Sequence, residues 1–276
     1  MSQLTDSLNQ IKTWLENNCP QAAETITPGL TLSEIESKIE NLPFSLPGEF
    51  YELYQWSRGN SLDTKDIYTY IFGADDATSL NSLQYAIEVF PDLVDEEFEE
   101  CAINYIGKPL FPIFGSDATF HCIVGDWESE TPSPIIYVTE ICETNHSYVS
   151  LTSMMLTAVE ALQQNALDFN SKSYSKWNEE KYAEIYLKHN FSILELSVKA
   201  LKQRLIMSQP DPFGEDKAKS IFKGDIYILD AKRRNLTSRQ LDSKIVEPLI
   251  IALEDEDTRV RNLARWGLEE LEYDFE

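Results

Sequence analysis

The sequence has few of the residues that build metal and redox sites. It contains four cysteines and three histidines among 276 residues. Successive cysteines lie about twenty or more residues apart, whereas the paired thiolates of a zinc site are two to four residues apart. We therefore expect reduced, buried or half-buried thiols and no metal site.

Long apolar runs and cofactor motifs are also absent. No stretch of eighteen apolar residues occurs, which excludes a membrane-spanning helix. The start, MSQLTDSLNQIKTW, lacks the basic residues and apolar core of a signal peptide, so we expect a cytoplasmic protein. The sequence has no G-x-x-x-x-G-K-[ST], G-x-G-x-x-G, H-E-x-x-H or G-x-S-x-G spacing. We therefore expect no cofactor and no catalytic residue.

Positive charge is scarce in the first part of the chain. Residues 1–165 carry 5 Lys and Arg against 26 Asp and Glu, a balance of −21, and residues 166–276 carry 18 against 21, a balance of −3. Such a field repels nucleic acid and anionic membranes and attracts a basic partner. Alternatively, the acidity only keeps the protein in solution. Charge alone leaves both interpretations open.

Three helix patterns come first. The spacing of Leu8, Ile11 and Leu15 predicts the first helix. The T-x-x-E capping box that starts at Thr31 predicts the beginning of the second. Pro47 opens the third, because its missing N–H has no cost in a first helical turn. We expect Phe50, Leu53 and Tyr54 to be buried on this third helix and Gly59 to end it.

Strand patterns follow and predict an α+β fold with a mostly antiparallel sheet flanked by helices. We expect an N-terminal helix and lead-in over 1–27, an α+β domain over 28–167, and a smaller all-α helical domain over 168–276. The closing helix of the second unit is predicted from about Ser153 to Gln164. The predicted strands are 67–74, about 110–114, 119–126 and 134–140.

The stretch PLFPIFGSDATFHCIVGDW (109–127) gathers Asp117, His121, Cys122 and Asp126. Neighbours on a strand point to opposite faces, so His121 and Cys122 cannot form a nucleophile–base pair. We therefore favour a sheet hairpin. A hydrolase that uses His121 or His146 with nearby carboxylates stays as the weakest hypothesis.

Two charged clusters need an interpretation. The acidic run over 92–100 lacks the glycine and the ligand spacing of a calcium loop. It is either a solvated surface or a contact for a basic partner. The basic cluster Lys232-Arg233-Arg234 is interpreted as a solvated helix end, because the chain as a whole is acidic.

The segment IESKIENLPFSLPGEFYELYQWSRGNS resembles the signature of the SMI1/KNR4 family, also called the SUKH superfamily. The later block at 109–127, PSPIIYVTE and SLTSMMLTAVEAL resemble the strands and closing helix that follow, so the likeness covers roughly 28–167. The chain departs from the family pattern at two expected turns, Arg58-Gly59-Asn60 and Ser116-Asp117-Ala118. These departures affect the geometry expected for the turns. The matching signature positions are Ile35, Leu46, Pro47, Phe50, Tyr51, Leu53 and Gly59.

The resemblance implies a protein-binding module without an active site. Many bacterial members look like immunity proteins that neutralise a toxin, often a nuclease, and others act as scaffold or regulatory modules. A nuclease surface is basic because it grips phosphates, so the acidic part would bind a basic protein, with no direct contact to nucleic acid or membrane. The candidate partner-binding residues are Asp75, Asp76, Asp92, Asp95, Glu96, Glu97, Glu99, Glu100, Asp126, Glu128 and Glu130.

The C-terminal hairpin, KIVEPLIIALEDEDTRVRNLARWGLEELE, resembles a HEAT-type repeat. In that pattern an aspartate caps the second helix, and the apolar residues that follow pack on the first. A single repeat is present, whereas about three make a self-standing solenoid. We expect the helices over 174–207 to supply the missing neighbours. The matching positions are Leu253, Asp255, Asp257, Val260, Arg261, Ala264 and Leu268.

Overall fold

The computed structural model describes residues 2–59, 79–94, 104–116, 119–127, 131–139, 144–168, 176–207 and 214–274. The fold is α+β, with an antiparallel sheet flanked by helices and a helical C-terminal part, as the sequence predicts. The predicted strand over 67–74 and the acidic run from 95 onward lie outside the described residues.

Four helices precede the sheet: α1 (Gln3–Asn18), α2 (Pro20–Ala23), α3 (Leu32–Ile39) and α4 (Gly48–Trp56). The predicted capping box of α3 is confirmed. The Thr31 N–H donates to Glu34 Oε2 at 2.7 Å, and the Glu34 N–H donates to Thr31 Oγ1 at 3.3 Å. The predicted buried residues are also confirmed: Leu8, Ile11 and Leu15 on α1, and Phe50, Leu53 and Tyr54 on α4.

Gly59 has a left-handed backbone, with φ +74°, but it does not end helix α4. The helix ends at Trp56 and Ser57 is extended, so the predicted helix stop was placed too late. The left-handed glycine has another reason. A Cβ on Gly59 would lie 2.3 Å from the carbonyl oxygen of Asn81, which also accepts the Tyr54 hydroxyl at 3.0 Å. Glycine therefore permits a close approach of two backbone segments.

The sheet contains six strands: β1 (Ser79–Leu80), β2 (Asn104–Tyr105), β3 (Lys108–Ser116), β4 (Thr119–Val124), β5 (Ile135–Val138) and β6 (Thr144–Tyr148). Its order is β1-β3-β4-β5-β6, every pair is antiparallel, and β2 pairs with the start of β3. The predicted strands near 110–114, 119–126 and 134–140 are confirmed as β3, β4 and β5. Strand β6 was not predicted.

Seven further helices complete the described chain: α5 (Leu83–Val94), α6 (Leu151–Gln163), α7 (Glu179–His189), α8 (Ile193–Met207), α9 (Gly214–Arg234), α10 (Ser243–Ala252) and α11 (Thr258–Glu270). A short pair, β7 (Leu167–Asp168) and β8 (Lys176–Trp177), joins α6 to α7. The predicted C-terminal hairpin is α10 and α11, and Asp257 caps α11 by accepting the Arg259 N–H at 2.8 Å.

Both faces of the sheet are buried. Ile123 of β4 belongs to the main apolar core, together with residues of α1, α4 and α6. Cys122 belongs to a second cluster on the opposite face, against which α5 and Ala200 of α8 pack. His121 and its neighbour Cys122 are both buried, although strand alternation points them in opposite directions.

The helical part shares the main core with the sheet domain, since buried Leu162 of α6 and Leu201 of α8 belong to one cluster. The predicted boundary near 168 stays a prediction.

The interpretation of Lys232-Arg233-Arg234 as solvated is wrong for Arg233, which is 2% exposed and pairs with Asp230 and Glu272. The ammonium of Lys232 lies over the rings of Tyr182 and Tyr186.

A half-buried glutamate joins helices α4 and α6. Glu49 Oε1 accepts the backbone N–H of Thr152 at 2.9 Å and also its hydroxyl. Its other oxygen, Oε2, is buried and accepts no hydrogen bond within the described ranges. Burial raises the pKa of Glu49 above its usual 4.5, and the bonds from Thr152 lower it in part. Folding therefore favours the protonated form of the Glu49 side chain.

We predict that Glu49→Gln stabilises the protein increasingly as the pH rises. Below the pKa of the unfolded chain, Glu49 is protonated in both states and contributes its full stability. This contribution is lost as the pH rises through the higher pKa of the folded state, because the side chain then ionises inside the protein. Glutamine keeps an oxygen for Thr152 and cannot ionise. Urea unfolding between about pH 5 and pH 8 should show a variant advantage that grows with pH. Exposed Glu16→Gln is the control, and an equal advantage at every pH would contradict the prediction.

Candidate functional site

The described structure includes only two of the eleven predicted partner-binding residues. Asp92 lies in the last turn of α5, and Asp126 lies in the turn after β4. The structure brings no larger acidic group together from this set, because the other nine lie outside the described residues: Asp75, Asp76, Asp95, Glu96, Glu97, Glu99, Glu100, Glu128 and Glu130.

Asp126 holds two segments of the chain together. Its Oδ1 accepts the backbone N–H of Ser45 at 2.8 Å and the Ser45 hydroxyl at 3.0 Å, and its own N–H donates to the Ser45 carbonyl. These bonds hold the pKa of Asp126 below its usual value. The Lys108 ammonium donates to the Asp126 carbonyl oxygen. The Oδ1 atom of Asp126 therefore has a structural role.

The described N-terminal segment adds exposed acids that the predicted set does not include. Over residues 2–59, six acidic side chains are exposed against three basic ones. These acids are dispersed along the sequence and form no run, so no local signal marks them. The acids are Asp6, Glu16, Glu24, Glu34, Glu36 and Glu40, and the bases are Lys12, Lys38 and Arg58.

A buried polar cluster connects the sheet to helix α9. His146 of β6 places Nδ1 2.8 Å from Asp225 Oδ2 and Nε2 3.0 Å from the Tyr105 hydroxyl. A carboxylate can only accept, so Nδ1 is the donor. In the neutral imidazole, Nε2 then accepts from the hydroxyl of Tyr105. The three side chains come from β2, β6 and α9 and are at most 2% exposed.

Arg204 of α8 completes this cluster. Its guanidinium lies 5.6 Å from the centre of the Tyr105 ring. Burial lowers the pKa of Arg204, and the negative charge of Asp225 partly restores it. Burial also raises the pKa of Tyr105 far above its usual value, so its hydroxyl stays neutral. The cluster thus has one carboxylate, Asp225, and one half-buried cation, Arg204, whose charges act on each other.

The cluster has the donor pattern of an oriented histidine, but within the described residues its second ring nitrogen is already bonded to a buried tyrosine. In acyl-transfer triads the second ring nitrogen faces a nucleophile and an open pocket. In this structure it faces Tyr105, and His146 is 1% exposed. His121 lies apart from the cluster, with its ring between those of Tyr137 and Tyr148. We therefore assign the cluster a structural role.

That role is to close an edge of the sheet. Strand β6 is the last strand of the order, and an edge strand exposes unpaired backbone groups. Asp225 Oδ1 accepts the backbone N–H of His146 at 2.8 Å, so a helix side chain satisfies one such group. A Cβ on Gly224 would lie 2.0 Å from the Asn145 side-chain oxygen. Glycine at this position lets α9 approach the strand.

The sequence contains one signal for this contact. A glycine inside a helix costs about 1 kcal/mol relative to alanine, so Gly224 within α9 requires a packing reason. The sequence cannot identify the partner strand, because Asp225 and His146 are 79 residues apart.

Among the ranges that the structure describes, no group of three His, Cys, Asp or Glu side chains is arranged to hold a metal ion. The described helices include none that is long and apolar enough to span a membrane.

We predict that Asp225→Ala lowers the free energy of unfolding by about 3–5 kcal/mol, because it removes one member of a buried, hydrogen-bonded pair. Asp225→Asn should cost less, since its oxygen can still accept one of the two bonds. Urea unfolding measures both effects. The matched control is Asp216→Ala, an exposed aspartate on the same helix, with an expected change within about 0.5 kcal/mol. Equal losses for Asp225→Ala and the control would contradict the structural role.

Comparison with known proteins adds no family to this description. A scan against protein-family models finds no match for the chain, and a search of curated protein sequences finds none either. The SMI1/KNR4 resemblance therefore stays a prediction.

Proposed function

We propose that the chain is a non-enzymatic protein-binding module, of the immunity type, that acts in the cytoplasm. It neutralises a basic toxin domain, with a nuclease as the expected class, through an acidic surface. The observation that carries the proposal is the charge distribution: 5 basic against 26 acidic residues over 1–165, and near balance over the rest.

The described surface supports this proposal in two ways. Exposed acids outnumber exposed bases six to three over residues 2–59. In the helical part, several cations are already paired with acids: Arg233 with Asp230 and Glu272, and Arg259 with Asp257. Each such pair is close to neutral, so these cations present no net positive patch of their own.

The mechanism follows from complementary charge. A nuclease binds phosphates with Lys and Arg, and a negatively charged protein would cover the same groups. Long-range attraction speeds the encounter of the two proteins and weakens as salt screens it. The immunity protein would thus block the nucleic-acid groove without chemistry of its own.

A scaffold or regulatory protein is the second candidate. The observation that favours it is the HEAT-like hairpin, whose helix α10 exposes Ile251 (65%) and Ile250 (37%). Exposed apolar side chains on a helical repeat suit a protein partner. A toxin gene beside the gene for this chain would favour the immunity function, whereas a host protein bound through α10 would favour the scaffold.

The test starts with affinity capture by the intact chain at low and high ionic strength, followed by mass spectrometry. We expect a basic protein that is retained mainly at low salt. The binding constant of that protein is then measured with the variant Glu96→Lys, Glu97→Lys, Glu99→Lys and Glu100→Lys. We expect at least about a hundredfold loss of affinity and a weaker salt dependence.

A second quadruple variant distinguishes binding at a local site from attraction by the overall negative charge of the protein. Glu16→Lys, Glu24→Lys, Glu36→Lys and Glu40→Lys changes the net charge by the same amount on exposed positions. We expect it to keep most of the affinity. Equal loss in both variants would show attraction without a site, and full binding by the first variant would exclude the 96–100 run as the interface.

A further inference from the structure

The turn between strands β2 and β3 holds an isoleucine in a strained backbone conformation. Tyr105 pairs with Lys108 across a two-residue loop, and the loop residues Ile106 and Gly107 have φ values of 56° and 72°. Positive φ at both loop residues is typical of a type I′ turn, in which asparagine followed by glycine is preferred. A β-branched residue with positive φ is a rare outlier, and such strain is found mainly at functional sites. Isoleucine at this position therefore needs a reason other than the turn itself.

Ile106 belongs to an apolar patch that is partly open to solvent. Its side chain is half-buried and packs against the second core cluster. A Cβ on the next residue, Gly107, would lie 3.0 Å from Met207 Cε, so the end of helix α8 contacts the turn. Met207 is 57% exposed, and its neighbour Ile206 is 74% exposed, the highest fraction among the large apolar side chains of the described ranges. We call Ile106, Ile206 and Met207 the hairpin patch.

The hairpin patch lies on a fixed base. The hydroxyl of buried Tyr105 lies 3.0 Å from His146 Nε2, and the Tyr105 ring centre lies 6.1 Å from that of Trp127. The half-buried Arg204, in the last turn of α8, places its guanidinium 5.6 Å from the same ring centre. One buried tyrosine thus contacts both the hairpin and the end of α8. A surface that is ordered before it binds loses less entropy on binding.

The charge next to the hairpin in the chain favours a basic partner. Residues 92–108 contain six acidic residues and one basic residue, Lys108, a balance of 1 − 6 = −5. The last acid of this segment precedes β2 by four residues, and an extended chain spans at most about 3.6 Å per residue. A partner on the hairpin would therefore meet this negative segment. Two cations near the patch already have partners: Lys108 donates to the Asp126 carbonyl oxygen, and Lys202 pairs with Asp255.

We propose that the hairpin patch is the apolar centre of the surface that binds the basic partner, an inference that rests on the proposed function. A few well-packed side chains supply most of the binding energy of a protein interface, while charges at the rim speed the encounter. The partner would place apolar side chains on Ile106, Ile206 and Met207, and its Lys and Arg side chains near the acidic segment. A role in binding explains why isoleucine rather than asparagine occupies the strained turn.

The variant Ile106→Asn distinguishes a binding role from a structural one. Asparagine suits the turn, so the urea midpoint of unfolding should not fall. The affinity for the basic protein captured by the intact chain should fall at least about tenfold, and Met207→Gln should weaken binding in the same direction. The matched control is Leu32→Gln, an exposed apolar residue of α3, which should leave the affinity unchanged. Full binding by both Ile106→Asn and Met207→Gln would overturn the proposal.

A synthetic probe makes the test independent of the partner's identity. A helical peptide of Leu and Lys, with its leucines on one face, is compared with a peptide of the same composition whose leucines are dispersed. Calorimetric titration of the intact chain should show at least about fivefold tighter binding of the first peptide, and Ile106→Asn should remove this preference. Equal binding of the two peptides, or a preference that the variant keeps, would overturn the proposal.

Two further outcomes separate this proposal from its alternatives. If charge reversal over 96–100 weakens binding of the captured protein and Ile106→Asn does not, the proposed function stands and the hairpin patch is excluded. If no basic protein is captured while the first peptide binds through the patch, the immunity function fails and the patch stays a site for basic amphipathic segments. Sedimentation of the intact chain tests a second copy as the occupant. A dimer that Ile106→Asn abolishes would overturn the proposal.

Discussion

The packing of the sheet against the helical part depends on how the outer edge of the last strand, β6, is covered. Among the described strands, β6 has a neighbour on one side only, and an open strand edge invites pairing with other chains. Asp225 closes it by accepting both the backbone N–H and the ring Nδ1 of His146. An ionised carboxylate is costly to bury unless it is hydrogen-bonded. Tyr105 and Arg204 complete the balance of donors, acceptors and charge.

This constraint explains why the helical part and the sheet form a continuous structure. Helix α9 packs against β6 with Gly224 facing the side chain of Asn145, which would have to shift if the glycine carried a Cβ. A second buried polar residue makes a similar connection, since Asn190 at the end of α7 accepts the Val149 N–H and the Ser153 hydroxyl. With both sheet faces and this edge covered, His121, Cys122 and His146 are all interior. The function that we propose therefore uses the acidic charge of the surface.

The sequence predicted the elements whose signals are local. The Thr31 capping box, the buried faces of α1 and α4, and the alternation of His121 and Cys122 each depend on a few neighbouring residues. Strand β6 escaped prediction because its inward residues are Thr144, His146 and Tyr148, so no apolar alternation marks it. Contacts such as Asp225–His146 depend on packing between distant segments. The charge asymmetry is fixed by composition, whereas the partner-binding positions named from it stay predictions.

Hydrogen exchange at the backbone N–H of His146 tests directly whether α9 stays bound to strand β6 until the sheet unfolds. An N–H bonded to a buried carboxylate of α9 should exchange only when the sheet and the helical part unfold, as slowly as the N–H groups of central strand β4. We expect the same opening free energy for the two strands. Exchange of the His146 N–H that is orders of magnitude faster than that of β4 would contradict it, because α9 would then open without the sheet.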